Sequence, residues 1–295
     1  MANLKEVRNR ITSVSSTQQI TKAMKMVSAA KLKRATNAII QLRPYANKLK
    51  DILGNISASL ENSSSPFIQE REPVRVLIIA VSSNRGLAGA FNTNVIKSVN
   101  NLIAERYSEQ YHKGNVSLVT IGKKVQDYYE RRKYKVIGNN NELYTALTFE
   151  NTSKITESIM TGFANGDYDR VDVIYNHFRN AGMQELVVEQ LLPVPRNIQD
   201  QQKDKSSGVD YILEPSQEEI VNQLIPKSIK TQLYKAVLDS HASEHGARMT
   251  AMDKATDNAG ELLRSLKLSY NQARQAAITT ELTEIVSGAA ALSNG

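Results

Sequence analysis

Residues 4–49 read LKEVRNRITSVSSTQQITKAMKMVSAAKLKRATNAIIQLRPYANKL, and apolar side chains return in them at alternating intervals of three and four: Leu4, Val7, Ile11, Val14, then Leu32, Ala35, Ile39, Leu42, Ala46 and Leu49. Such a repeat is the seam of a helix that packs lengthwise against another helix. Continued through Leu53, Ile56 and Leu60, at about 1.5 Å per residue it predicts a rod of roughly 85 Å. No globular domain needs a helix of that length, so it is expected to project. Pro44 falls inside the pattern and removes a backbone donor, which predicts a bend over Gln41–Pro44. The run Asn62-Ser63-Ser64-Ser65-Pro66 ends the element.

Gln18, Thr21, Lys25 and Ser28 occupy the middle of the register, while Ile20, Met24 and Val27 shift the apolar stripe to a neighbouring face. A stripe that changes face predicts a second surface to be met there. Charge is concentrated in the same helix. Residues 1–50 hold eleven basic residues against Glu6 alone, a net of +10, whereas the whole chain carries +7. A basic helix points to an acidic partner: nucleic acid, anionic lipid or a protein surface. No aromatic residue interleaves the run from Lys22 to Arg34 to stack on bases, which weighs against nucleic acid.

The C-terminal part returns to helical period from Pro215, with Glu218 and Glu219 in the first turn where the helix dipole favours anions, and Pro226 permits a kink. Its seam runs Tyr234, Leu238, His241, His245, Arg248, Met252, Ala255, Ala259, Leu262, Leu266 and then through small residues to Ala290. Small residues allow close approach of a partner helix. Neither long helix can bury its stripe alone, so the two are expected to pair antiparallel. The final stretch, Ile285 to Leu292, is apolar nearly all round and is expected to sit inside another protein.

Between 74 and 214 the period changes. Short β-rich runs, Val74–Val81, Val116–Ile121, Tyr134–Ile137 and Val171–Phe178, alternate with helical stretches at Ala90–Tyr107, Lys123–Arg132 and Ser153–Ala164. That alternation implies a doubly wound, mostly parallel sheet covered on both faces. The expected fold class is therefore α/β plus a long antiparallel coiled coil. Residues 1–62 and 215–295 form a discontinuous shaft and 74–214 an inserted Rossmann-like domain, with Gly138–Asn141 and Arg196–Gly208 as polar surface loops.

The chain has no Cys and no Trp, so disulfides, thiolate zinc sites and cysteine nucleophiles are excluded. No stretch approaches the roughly 20 apolar residues needed to span a bilayer. His241-Ala-Ser-Glu244-His245 fits the H-x-x-E-H pattern of zinc proteases, but two histidines at i and i+4 in a helical seam more often simply pack. Ser82–Asn92 joins a strand to a helix where a phosphate loop would lie. It matches neither glycine-rich phosphate pattern and reads better as a tight turn. No cofactor, no metal and no catalytic residue is expected.

Five stretches together closely resemble the gamma subunits of F-type ATP synthases: ITKAMKMVSAAKLKR at 20–34, ARMTAMDKATDN at 247–258, YNQARQA at 270–276, ITTELTEIVSGA at 278–289, and SNRGLAGAFN at 83–92. Arg196–Gly208 matches no motif of the family. The resemblance implies a non-catalytic central rotor. One copy stands inside the ring of alpha and beta subunits, with the α/β domain at the shaft's foot against the epsilon subunit and the ring of c subunits, at the cytoplasmic face of a bacterial inner membrane. It also implies roles for residues. Lys22, Met24, Lys25, Lys31, Lys33 and Arg34, with Arg85 and Arg248, would transmit torque to acidic levers of beta. Arg274 and Gln275 match the polar catch, and Thr279, Glu281 and Glu284 the C-terminal stabilising cluster. Chloroplast relatives carry a cysteine-bearing regulatory insert, and thiol control of that kind is excluded here. A basic coiled-coil protein that binds nucleic acid or acts as a scaffold is the alternative.

Overall fold

A computed structural model describes residues 4–57, 65–195 and 217–293. In chain order the elements are α1 (Leu4–Ser57), β1 (Val76–Val81), α2 (Phe91–Arg106), α3 (Ser108–His112), β2 (Val116–Ile121), α4 (Lys123–Arg131), a 3-10 turn (Asn141–Tyr144), α5 (Phe149–Ala164), β3 (Arg170–Phe178), β4 (Gln184–Leu192) and α6 (Gln217–Ser293). The expected terminator Asn62–Ser64, the seam residue Leu60, Pro215 and the loop Arg196–Gly208 lie outside the described residues, as do the side chains of Leu53, Ile56, Glu218 and Glu219. Two long terminal helices around a mixed sheet bear out the expected fold class. Each helix continues through its internal proline, Pro44 and Pro226. The chain divides into two compact units, one of residues 1–28 with 249–295 and one of residues 29–248.

The first unit is a pair of helix segments running in opposite directions. Arg8 donates to the Tyr270 hydroxyl at 2.8 Å, Thr21 meets Thr256 at 2.8 Å, and Lys25 pairs with Asp253 at 2.5 Å. Numbering thus falls on α6 as it rises on α1. The seam is thin in apolar area: Val7, Met252 and Ala259 are buried, but so are Thr21 and Ser28. Close approach substitutes for bulk. A Cβ on Gly260 would stand 3.0 Å from the Gln18 amide nitrogen, tighter than ordinary van der Waals contact. Leu262, placed on the seam by its period, is 48% exposed, and the half-buried residue is Leu263. A straight α-helix of 3.6 residues per turn drifts against a 3.5 repeat, so the stripe passes to the next residue.

In the second unit the sheet has the order β2-β1-β3-β4. β1 pairs parallel with β2 and with β3, and β4 returns antiparallel along β3. Side chains alternate between two cores, as the pleat requires. On one face Val76, Ile78, Ala80 and Leu118 meet Val95 and Val99 of α2 and Val125 and Tyr129 of α4. On the other, Leu77, Ile79, Val81, Val173 and Tyr175 meet Phe163 of α5 and Ile225, Ile229, Leu233 and Val237 of α6. The N-terminal part of α6 is thus a wall of the sheet's core. Ala35 and Ile39 of α1 pack on Leu238 and Ala242 of α6 in a third cluster.

Several expected boundaries are corrected. Val74–Val81 is a strand only from Val76. Helix α5 starts at Phe149 rather than Ser153, because the Thr148 side chain accepts the Asn151 N–H and caps it. Tyr134–Ile137 forms only an isolated parallel bridge, Leu118 with Val136. Its entry is bent by Lys133 at φ 59, which prevents regular pairing. Strand β4 was not expected from the sequence. Its burial is irregular rather than alternating, and its signal was the hairpin turn Asn180-Ala181-Gly182, whose Asn180 side chain accepts from the Gly182 and Met183 amides.

Candidate functional site

In the second unit the turn after β1 is tied to α6 by one buried arginine. Arg248 donates to the Glu244 carboxylate at 2.6 Å, to the Arg85 carbonyl at 3.0 Å and to the Gly86 carbonyl at 3.3 Å. Both side chains are nearly sealed, Arg248 at 8% and Glu244 at 9% exposed. Burial raises the Glu244 pKa above its ordinary value, and Arg248 opposes that shift. The turn is further set by Asn92, whose side chain accepts the Ser83 N–H at 3.0 Å, and by Tyr144, which donates to the Ser82 carbonyl at 2.6 Å. At Gly122 a Cβ would stand 2.4 Å from the Ser82 carbonyl, at φ +111, so only glycine lets the α4 entry approach this closely. What projects from the turn is Arg85, exposed, and Leu87, 65% exposed at φ 61. A leucine held in the left-handed region costs free energy.

The H-x-x-E-H residues are spent on packing. The His241 ring stacks on Tyr144 at 5.4 Å and meets His245 edge-on at 4.5 Å, while Glu244 belongs to Arg248. Burial, with the Lys31 and Arg248 charges, pushes His241 down to about 4. Burial, then His241, pushes His245 down to about 3, so both rings are neutral near pH 7. Sequence reading passed over Asp239, which is wholly buried and receives His177 at 3.0 Å and Arg43 at 3.5 Å. A lone Asp inside a helical seam gave no signal of its partners.

Of the residues singled out for subunit contact in the first unit, Lys22 is exposed, Met24 half-buried, and Lys25 engaged by Asp253. Three apolar side chains stand out beside them: Ile20 at 59%, Met26 at 62% and Val27 at 57% exposed. Every residue from Ile278 to Ala290 is exposed, including Ile278, Leu282, Ile285 and Val286. Thr279, Glu281 and Glu284 lie in that stretch, and Arg274 and Gln275 are exposed just before it. The Thr279 hydroxyl donates back to the Gln275 carbonyl at 2.9 Å. In the second unit Lys31, Lys33 and Arg34 are exposed. Among the described residues the structure gives Lys22, Lys33 and Arg34 no ion-pair partner.

Helices that pair through their inner faces and leave basic and apolar residues outward define a subunit built to be held by other proteins. A family model described as ATP synthase matches residues 3–292. The chain is 54% identical over 295 residues to the ATP synthase gamma chain of Cytophaga hutchinsonii, covering 100% of both, and 56% identical over 293 residues to that of Flavobacterium psychrophilum, covering 99% of each. A chain in the central stalk and c-ring structure of the Tetrahymena thermophila mitochondrial ATP synthase aligns with TM-score 0.56 at 27% identity, over 80% of this chain and 99% of that one. A chain of the Euglena gracilis mitochondrial ATP synthase shares the fold with TM-score 0.69 at 21% identity, over 98% and 94%. The chain belongs to the ATP synthase family, among its gamma chains. The nucleic-acid alternative finds no support in these relatives.

Proposed function

We propose that this chain is the rotating shaft that carries proton-driven rotation to the ATP-forming beta subunits. As a gamma chain it is a central stalk subunit of the ATP synthase. Segments 1–62 and 215–295 act as the shaft, and 74–214 as the inserted domain that meets the epsilon subunit and the c ring. One copy turns inside the alpha and beta hexamer, at the cytoplasmic face of a bacterial inner membrane, touching the membrane only through the c ring. Among the described residues no helix is long and apolar enough to cross a membrane. The chemistry belongs to beta, and this chain supplies none of its groups.

The observation that carries this reading is the unbroken exposure from Ile278 to Ala290. Four large apolar residues there stay in water in the chain by itself, which fits a tip housed in a sleeve of other subunits. Lys22, Met24, Lys25, Lys31, Lys33 and Arg34 bear on acidic levers of beta. Arg85 adds to them, with Arg248 holding its loop in place. Arg274 and Gln275 form the polar catch, with Thr279, Glu281 and Glu284 beside it. Such contacts break at every turn, and exposed charge pairs, worth at most about 1 kcal/mol each, suit that duty better than deep docking.

The test is to reverse Lys22, Lys25, Lys31 and Lys33 to Glu in the assembled complex, with Asp253→Lys added so that the Lys25 pair is preserved in reversed polarity. Torque in single-molecule ATP-driven rotation should fall, with assembly retained. Unchanged torque overturns the electrostatic lever.

A further inference from the structure

At the outer edge of β2, away from the turn after β1, a cleft of about 390 Å³ is lined by Tyr111, His112, Val116, Lys133, Tyr134 and Lys135. It exists because a ladder stops early. The Leu118 N–H donates to the Lys135 carbonyl at 2.8 Å, and the Ile137 N–H to the Leu118 carbonyl at 2.7 Å. The next rungs of a parallel ladder would join the Lys135 N–H to the Val116 carbonyl and the Val116 N–H to the Lys133 carbonyl. Neither is made among the described residues. Lys133 turns the chain aside at φ 59, its own N–H bound to the Glu130 carbonyl at 3.0 Å and that of Tyr134 to the Tyr129 carbonyl at 3.1 Å. A lysine held in left-handed backbone is sterically disfavoured, and here it parts two edges that would otherwise zip.

The walls suit an anion joined to a flat ring. Lys133 and Lys135 are exposed, and among the described residues neither has an ion-pair partner. Nearby Lys113 has only an exposed Glu109 at 3.7 Å. The Tyr111 and Tyr134 rings lie 5.2 Å apart at 30°. Tyr134 is fixed from behind by Tyr129 at 4.9 Å, and Tyr111 is 40% exposed, with ring surface free to be covered. Burial, then the neighbouring Tyr111, pushes the Tyr134 hydroxyl up to about 12, so it stays a neutral donor. The cleft lies at the start of β2, not at the carboxyl ends of the parallel strands where this kind of sheet usually takes nucleotides. Its volume falls within the range of about 300–1,000 Å³ typical of small-ligand pockets, and the Leu118–Val136 bridge lies just beyond it.

We propose that this corner binds a small phosphorylated molecule with an aromatic ring. Lys133, Lys135 and the Val116 and Lys135 amides that the ladder leaves unpaired hold the phosphoryl oxygens, and Tyr111 takes the ring. The experiment titrates the ¹⁵N-labelled full-length chain with ADP, with pyrophosphate and with polyglutamate, reading amide shifts and the tyrosine fluorescence that the absence of Trp leaves unobscured. Expected are saturable shifts at Val116 and Lys135, tighter for ADP than for pyrophosphate. The Lys133→Glu, Lys135→Glu double variant should weaken both at least tenfold, and Tyr111→Leu should weaken ADP alone. Should the double variant fail to fold, the wild-type shift map decides. Absence of saturation, shifts centred elsewhere, or polyglutamate binding the corner more tightly than ADP overturns the proposal.

Discussion

Replacing Arg248 by Ala removes the bond to Glu244 and the bonds to the Arg85 and Gly86 carbonyls in one step. The carboxylate left behind is 9% exposed, so water cannot take over the lost partner. Breaking one side of a buried ion pair costs about 3–5 kcal/mol, and the low exposure of both side chains argues against discounting that figure for screening. We expect Arg248→Ala to lower unfolding free energy by about 4 kcal/mol near pH 7, measured by urea denaturation followed by circular dichroism. Adding Glu244→Gln should recover about half, because a neutral amide needs less compensation than a carboxylate. Glu244 has a folded pKa raised by burial above 4.5, so its contribution is fullest below that value and is lost as pH rises through the folded pKa. Without Arg248 the folded pKa rises further, and the variant's deficit should shrink as the pH is lowered towards 4.5. A loss under about 1 kcal/mol, or additive effects in the double variant, would refute the assignment of Arg248 as the tie between the turn and α6.

Other outcomes follow from single contacts. His241 and His245 are depressed from 6.5 to about 4 and about 3, so their contribution is complete above pH 6.5 and lost as pH falls towards those values. Urea midpoints at pH 7.5 and 5 should differ, and by less in His245→Gln; a flat profile would sink the idea. Gly122→Ala meets the Ser82 carbonyl at 2.4 Å in left-handed backbone and should cost about 3 kcal/mol by thermal melting. Lys25→Ala breaks a pair whose members are 41% and 48% exposed, and its melting point should imply a change of no more than about 1 kcal/mol. Deleting residues 279–295 should leave the melting of the chain unchanged, since the stretch from Ile278 to Ala290 is exposed, yet impair co-purification with the catalytic subunits; a large loss of chain stability would contradict the observed exposure.

The seam of α1 could be read residue by residue. From Leu4 to Leu49 each named position is buried or half-buried, because a helix places every third or fourth residue on one side whatever surrounds it. The parallel strands were legible for a similar reason, since burial on both faces leaves continuous apolar runs such as Val76–Val81. Local signals failed where the deciding partner was distant in sequence. Strand β4 depends on β3 for its pairing, and the failed rung beyond Val136 depends on how Lys133 turns. Arg248 was expected to bear on the beta subunits, but its side chain is buried and a carbonyl 163 residues away in sequence receives it.

The sequence by itself determined the elements, two long helices that pair and apolar strands read as a mostly parallel sheet, because periodicity and β-branched runs are properties of neighbouring residues. Only the tertiary structure decided which charged residues are paired and which are left outside. Lys25 is taken by Asp253 and Arg248 by Glu244, whereas Lys22 and Arg85 remain exposed. Burial and ion pairing are fixed by which chain segments meet, and no local pattern contains that information.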